Sequence, residues 1–442
     1  MRRLIAIALV IVAACAVAVP LIAQENAESD KGFFLRFVEE QLSAPDRQIS
    51  ISGIDGVLSS DVTIPEITIS DQEGVWLKIE NAVLNWDQGA LLGGRLQINK
   101  LSADKIEYIR KPVPAKGVDL PAPEAQAPEI PQLPIAIELK ELSVPSVTFG
   151  EGVFGLGSEV SVSGNLSLAD GSLDTSLDIA RKDGPGGTLA LKFKYDRPTQ
   201  NADIDLALNE PPNGLIVNLL NMADKPDLSL TLTGSGPLSS LKTDLALDAG
   251  GKRALTGTAQ LTRVESGLKV DAELGGPVAD LVPVSYKAFF GAKTSLTARA
   301  LVRDSGGLSI DSLDLNGGQI ALSASADTTA DGFLSRLRLN ADISAPDGSI
   351  VLLPGGGGKT GIGSARLSVD YAEGDNWTGA LNVAGLRTAD LSAEALQLNL
   401  SGAALNLENP ASRRVTFNAD GEVVALAVKR QIETAGQDIE PT

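Results

Sequence analysis

The chain has 442 residues, contains no His and one Cys, Cys15, and carries 37 Lys plus Arg against 56 Asp plus Glu, a formal net charge of −19. The missing His removes imidazole acid/base catalysis, the Ser-His-Asp and Cys-His nucleophile systems and nearly every Zn, Cu or haem site, and a lone Cys cannot form a disulfide within the chain. The acidic balance is the opposite of the basic footprint that displaces counterions from nucleic acid, so no DNA or RNA partner is expected, and lipid contact is expected through apolar surface rather than charge.

Aromatic residues make up only 4% of the chain while Gly numbers 45, which suits small alternating strands and turns better than a core of large side chains. Met1-Arg2-Arg3 is followed by an uncharged stretch from Leu4 to Ala23 and then the polar QENAESDK. A cationic start ahead of an apolar segment is what export machinery inserts, and about 20 apolar residues suffice to span a bilayer. Residues 1–23 are therefore expected to be a signal-anchor, with Leu4, Ile5, Leu9, Val10, Ile11, Val12, Val17, Val19 and Leu21 facing lipid, and cleavage as a signal peptide is the alternative. Val12-Ala13-Ala14-Cys15 is like a lipoprotein cleavage box, but the apolar run continues past it, so Cys15 reads as a small hydrophobe in a membrane helix.

Residues 24–110 form a second segment. FFLRFVEEQL (33–42) has helical spacing, with Asp30 as a possible N-cap, and from Gln48 to Arg110 the pattern becomes strand-like: Ile49/Ile51, Val62/Ile64, Ile67/Ile69, Val75/Leu77/Ile79, Leu84/Trp86 and Leu96/Ile98. Residues 111–134 carry prolines at 112, 114, 121, 123, 128, 131 and 134 and cannot donate a regular ladder, so they read as an extended linker or insertion. Strict alternation then resumes over 135–442, as in Leu189/Leu191/Phe193/Tyr195, Ile204/Leu206/Leu208, Leu228/Leu230/Leu232 and Ile320/Leu322/Ala324. Short helices are expected only over 213–222 and 278–290.

Period-two alternation gives a sheet one apolar and one wet face, and too few helices are available to cover so long a sheet. The expected fold is all-β: an N-terminal transmembrane helix and a short helix, then a long, curled, mostly antiparallel β-sheet whose apolar face either lines an open groove or is sealed as a core. Leu77, Ile79, Leu84, Leu191, Phe193, Leu230 and Leu322 are the candidate lining positions. Trp76, Trp86 and Trp377 fall in strands as core or groove lining.

No fingerprint of catalysis emerges. GGGGKT (Gly355 to Thr360) resembles the end of a phosphate-binding loop, but the motif's first glycine falls on Leu353 and the following GIGSARLSV reads as strand. The Asp and Glu residues are scattered over hairpin tips and polar faces, without Ca²⁺-loop spacing or an assignable carboxylate pair. Neither enzyme activity, nor a cofactor, nor a metal is expected.

Several stretches in order resemble the AsmA-like envelope proteins of the TamB type, from the translocation and assembly module. They are the anchor with FFLRFVEEQL, GVWLKIENAVLNWDQGALLGGRLQINKLSADKIEYIRKP (Gly74 to Pro112), IAIELKELSVPSVTFG after the Pro-rich insertion, GSGPLSSLKTDLALDAGGKRALTG (Gly234 to Gly257) and GGPVADLVPVSYKAFFG (Gly275 to Gly291). AVLNWDQGALL is the most specific of them. The resemblance implies an inner-membrane anchor, a periplasmic β groove with an apolar lining, and a TamA-like outer-membrane barrel partner. It also implies roles in outer-membrane protein or autotransporter assembly and in carrying phospholipid acyl chains between membranes. The family's C-terminal domain, which meets the barrel, has no counterpart in these residues. The alternative is a passive structural or adhesive β-repeat protein of the envelope.

Overall fold

The computed structural model describes residues 48–56, 59–113, 135–222, 224–330, 332–354, 360–372, 376–405 and 414–428. The expected anchor over 1–23, the helix over 33–42, residues 114–134 of the Pro-rich segment, Gly355 to Lys359 of the glycine run and the C-terminal tail lie outside them. Among the described residues no helix is long and apolar enough to cross a membrane. They are mostly strand, as the alternation predicts, and fall into two units, one ending at Val270 and one beginning at Asp271.

The first unit contains β1 (Gln48–Ser52), β2 (Asp61–Asp71), β3 (Gly74–Asp87), β4 (Arg95–Ser102), β5 (Lys105–Tyr108), β6 (Ala136–Phe149), β7 (Ser158–Ala169), β8 (Ser172–Arg181), β9 (Thr188–Asp196), β10 (Asn201–Glu210), β11 (Leu228–Pro237), β12 (Leu241–Ala249) and β13 (Lys252–Val264). From β6 to β13 each strand pairs antiparallel with the next. Turn chemistry fixes these registers. Asp170-Gly171 and Gly250-Gly251 each form a two-residue turn with both φ angles positive, the mirror-type turn whose twist matches the flanking strands.

The exception is a parallel step that alternation cannot reveal. β4 and β5 occupy one lane, interrupted at Ala103-Asp104, where Asp104 N–H donates to Glu80 O at 3.0 Å and Asn81, at φ 49°, donates its side-chain amide to Asp104 at 2.9 Å. This lane pairs antiparallel with β3 and parallel with β6, from Arg95 opposite Ala136 to Tyr108 opposite Phe149. Parallel neighbours need a crossover of a dozen or more residues, and residues 109–135, with their prolines, make that connection.

Three short helices sit at strand ends in this unit: α1 (Gln88–Leu92), α2 (Glu151–Phe154) and α3 (Leu215–Leu219). Asp87 caps α1, accepting from Gly89 N at 2.9 Å and Ala90 N at 3.3 Å. α3 is shorter than the expected 213–222 helix.

β14 (Gly267–Gly276) contains the boundary between the units. In the second unit the expected 278–290 helix is two 3₁₀ turns followed by α4 (Lys287–Phe290). β15 (Thr294–Arg303), β16 (Leu308–Asn316), β17 (Ile320–Thr328) and β18 (Leu334–Ser344) pair in sequence order. The two-residue strands β19 (Val351–Leu352) and β20 (Gly361–Ile362) form a side hairpin, so that β18 pairs with β21 (Ser364–Tyr371). β22 (Asn376–Arg387) and β23 (Leu391–Leu405) continue the sheet. Against β23 lie β24 (Arg414–Val415), β25 (Asn418–Val424) and β26 (Ala427–Val428).

Candidate functional site

Pairing register turns the alternation of single strands into rows that cross the sheet. In the first unit one row reads Leu177, Leu191, Leu206, Leu232, Leu245 across β8 to β12. A second reads Ile179, Leu189, Leu208, Leu230, Leu247, Leu255 from β8 to β13, and a third runs through Phe193 and Ile204. Leu208 is buried and the other members of the two leucine rows are half-buried, side by side on one face. The other face carries Asp174, Lys192, Lys194, Asp203, Asp205, Lys242 and Asp244, all exposed, around a shallow depression of mixed charge.

The second unit repeats this arrangement. Leu296, Leu315, Leu322, Ala341, Leu367, Leu381 and Leu398 form one half-buried row from β15 to β23. On its opposite face exposed ion pairs join neighbouring strands, Arg338 to Asp370 at 3.0 Å and Arg366 to Asp342 at 2.8 Å. Phe289 and Phe290 of α4 and the β19–β20 hairpin pack onto the apolar face beside Ile320, Ile343, Ala365 and Val383 of β17, β18, β21 and β22. Val351 and Ile362 are enclosed there, at 0% and 1% exposure.

The face is more tightly packed near β1 to β7. Ile49, Ile67, Ile69, Trp76 and Leu77 form one cluster, Trp86, Leu96, Ile98, Ile137 and Leu168 a second, and Ala103, Val144, Val147 and Val160 a third. A β-bulge opposite Ile69/Ser70 turns both Trp76 and Leu77 into the first cluster, where Trp76 meets Tyr108 edge-on at 5.7 Å and Tyr108 meets Phe149 at 6.1 Å. Of the candidate lining residues, Leu77 lies in this packed cluster. Ile79 packs against the first and third clusters and Leu84 against the first and second. Leu191, Phe193 and Leu230 lie in the half-buried rows of the first unit and Leu322 in that of the second.

Comparison with protein-family models, with curated proteins and with solved structures gives no match for this chain. The physical character of the two faces therefore carries the functional argument.

Two charged residues on the apolar face are not expected from the sequence. Val160 pairs with Arg181, Arg181 N–H donates to Gly187 O at 2.8 Å, and the β9–β10 register then sets Glu210 beside Gly187. One row thus runs Val147, Val160, Arg181, Gly187, Glu210, Leu228. The signal that could have found them is the same period of two, since Leu177/Ile179/Arg181 and Leu206/Leu208/Glu210 continue their apolar positions by one step. Arg181 donates to Asp183 at 3.1 Å through Nε and 2.9 Å through Nη2. Glu210 accepts from the amides of Leu215 at 3.0 Å and Ile216 at 2.9 Å, the first turn of α3. Gly214 makes this cap possible, because a Cβ there would collide with the Glu210 carboxylate. Among the described residues no group of three acidic or Cys side chains stands close enough to hold a metal ion.

Proposed function

We propose that the chain is an inner-membrane-anchored, periplasmic component of the AsmA-like kind, not an enzyme, whose curled sheet carries phospholipid acyl chains between membranes and aids outer-membrane protein or autotransporter assembly. The observation that carries this reading is the set of half-buried leucine rows, backed by a face that bears exposed Asp and Lys side chains. A sheet serving only as scaffold would gain by sealing such rows, because each buried CH₂ contributes about 0.8 kcal/mol. A row left half-covered suits a ligand that enters and leaves. Acyl chains match it in chemistry, being long, aliphatic and indifferent to hydrogen bonds.

Curling has support of its own in the first unit. α2 follows β6 and α3 follows β10, four lanes away, yet the two helices pack on each other. Lanes are about 4.8 Å apart, so a flat sheet would hold these helices roughly 19 Å apart. The packed clusters around Trp76 and Trp86 favour a structural role for β1 to β6, with lipid carried farther along.

The test is chemical extraction of the purified full chain followed by mass spectrometry of whatever lipid accompanies it. Phospholipid in near-stoichiometric amount is expected, and it should fall away in the double variant Leu206→Asp/Leu232→Asp. A lipid-free protein, recovered in the gentlest detergents, would leave the passive structural reading.

A further inference from the structure

Arg181 and Glu210 are an anomaly on a face lined mainly by leucine, isoleucine, valine and aromatic side chains. Burying a charge is costly unless it is paired or hydrogen-bonded. Glu210, at 8% exposure, meets that condition through the two α3 amides. Arg181 meets it in part: its side chain is 6% exposed, Asp183 takes Nε and Nη2, and Nη1 is buried with no acceptor. The hydrogen bond to Asp183, with a weaker contribution from the charge of Glu210, holds the guanidinium firmly protonated, so the orphaned donor is always present.

The surroundings are those of a headgroup rather than a chain. Between the two charges stands Gly187, which contributes no side chain to the row, so one lane separates the strand of Arg181 from that of Glu210. Two residues further along each strand lie Ile179, Leu189, Leu208 and Leu230, the start of the leucine rows. Over the ends of the intervening lanes pack α2 and α3, helices of four and five residues. Helices this short have little stability of their own and are held by packing, through the buried Val153 and Val217, so a headgroup enters where that packing opens.

Resting on the lipid-carrying reading, we infer that Arg181 and Glu210 form a headgroup station for a zwitterionic, amine-bearing phospholipid. Its phosphate accepts from Arg181 Nη1, its ammonium sits on the Glu210 carboxylate, and its acyl chains lie on the leucine rows beside them. A guanidinium suits phosphate because its N–H groups match the oxygens in geometry and charge. Glu210 keeps lone pairs free after accepting two amides, since a carboxylate offers about four acceptor sites. Arg181, Asp183 and Glu210 together sum to one negative charge, which an anionic lipid would raise to two and a zwitterionic lipid leaves unchanged.

The experiment equilibrates the full chain in mild detergent with vesicles of phosphatidylethanolamine or of phosphatidylglycerol and counts bound lipid by mass spectrometry, with glycerophosphoethanolamine as a chain-free competitor. The wild type is expected to prefer phosphatidylethanolamine by about tenfold, the worth of one charge-assisted hydrogen bond. In Arg181→Gln and Glu210→Gln total lipid should persist while the preference collapses towards unity, and glycerophosphoethanolamine should compete only weakly. Equal binding of the two lipids by the wild type, which needs no variant, overturns the station but leaves the groove. An unchanged preference in both Gln variants overturns the station too, as does complete displacement of lipid by the chain-free headgroup. Binding of neither lipid overturns the groove itself.

Discussion

Asp71 and Arg110 form a bidentate pair: Nη1 donates to Oδ2 at 2.8 Å and Nη2 to Oδ1 at 2.5 Å, and the amide of Val113 adds a third donor to Asp71 at 2.6 Å. The Asp71 side chain has no solvent exposure. The pair ties the β2–β3 turn to the start of the crossover, beside the parallel pairing of the β4–β5 lane with β6. The Arg110 hydrogen bonds, opposed by burial and reinforced by the amides of Val113 and Glu73, hold the Asp71 carboxyl well below the usual carboxylate range.

A depressed folded value means that the stabilisation by Asp71 is complete above its unfolded value near pH 4 and is lost as the pH falls through the folded one. Asp71→Asn is therefore expected to lower stability at pH 7 by on the order of 2 kcal/mol, as for hydrogen bonds to a charged group. The gap to wild type should shrink as the pH is taken below about 4. Thermal melts at several pH values check both the size and the sign. A gap that widens in acid would contradict this role for Asp71.

The β19–β20 hairpin should act as a packed plug on the apolar face of the second unit. Ile362→Ala removes a side chain with 1% exposure and is expected to cost about 3 kcal/mol, whereas Leu352→Ala, at 58% exposure, should change stability by no more than about 0.5 kcal/mol. Denaturant titration of the two variants gives the comparison directly.

The apolar face should respond differently to charge along its length. Leu77→Asp enters the packed Trp76 cluster and should prevent folding or nearly so, since an unpaired buried charge has nowhere to go. Leu230→Asp, in a half-buried row, should leave a folded protein with a melting temperature within a few degrees of wild type. Circular dichroism separates the outcomes. Equal damage from both would mean that the rows are sealed.

Much of this architecture is legible in the sequence because its rule is local. Leu189/Leu191/Phe193 and Leu228/Leu230/Leu232 declare their face by alternation alone, and Asp170-Gly171 declares its turn. What is not legible depends on partners distant in the chain. No local pattern says that β6 lies parallel to the β4–β5 lane, and the proline-rich stretch between them reads equally well as a linker. A strict period of two sets Trp76 on the face opposite Leu77, whereas the bulge opposite Ile69/Ser70 breaks that period and brings both into one cluster. Arg181 and Glu210 stay hidden because a charge at a strand end reads as solvated until the register sets it beside Val160 and Leu228.

The central claim is that the leucine rows meet lipid, and photocrosslinking in living cells tests it most directly. A photoreactive residue is placed at Leu230 or Leu322 on the apolar face and, as controls one residue along the same strands, at Thr231 or Ser323 on the polar face. The account predicts phospholipid attached at Leu230 and Leu322 and none at Thr231 or Ser323. Crosslinks from Leu230 and Leu322 that run only to neighbouring strands of the same chain would contradict it.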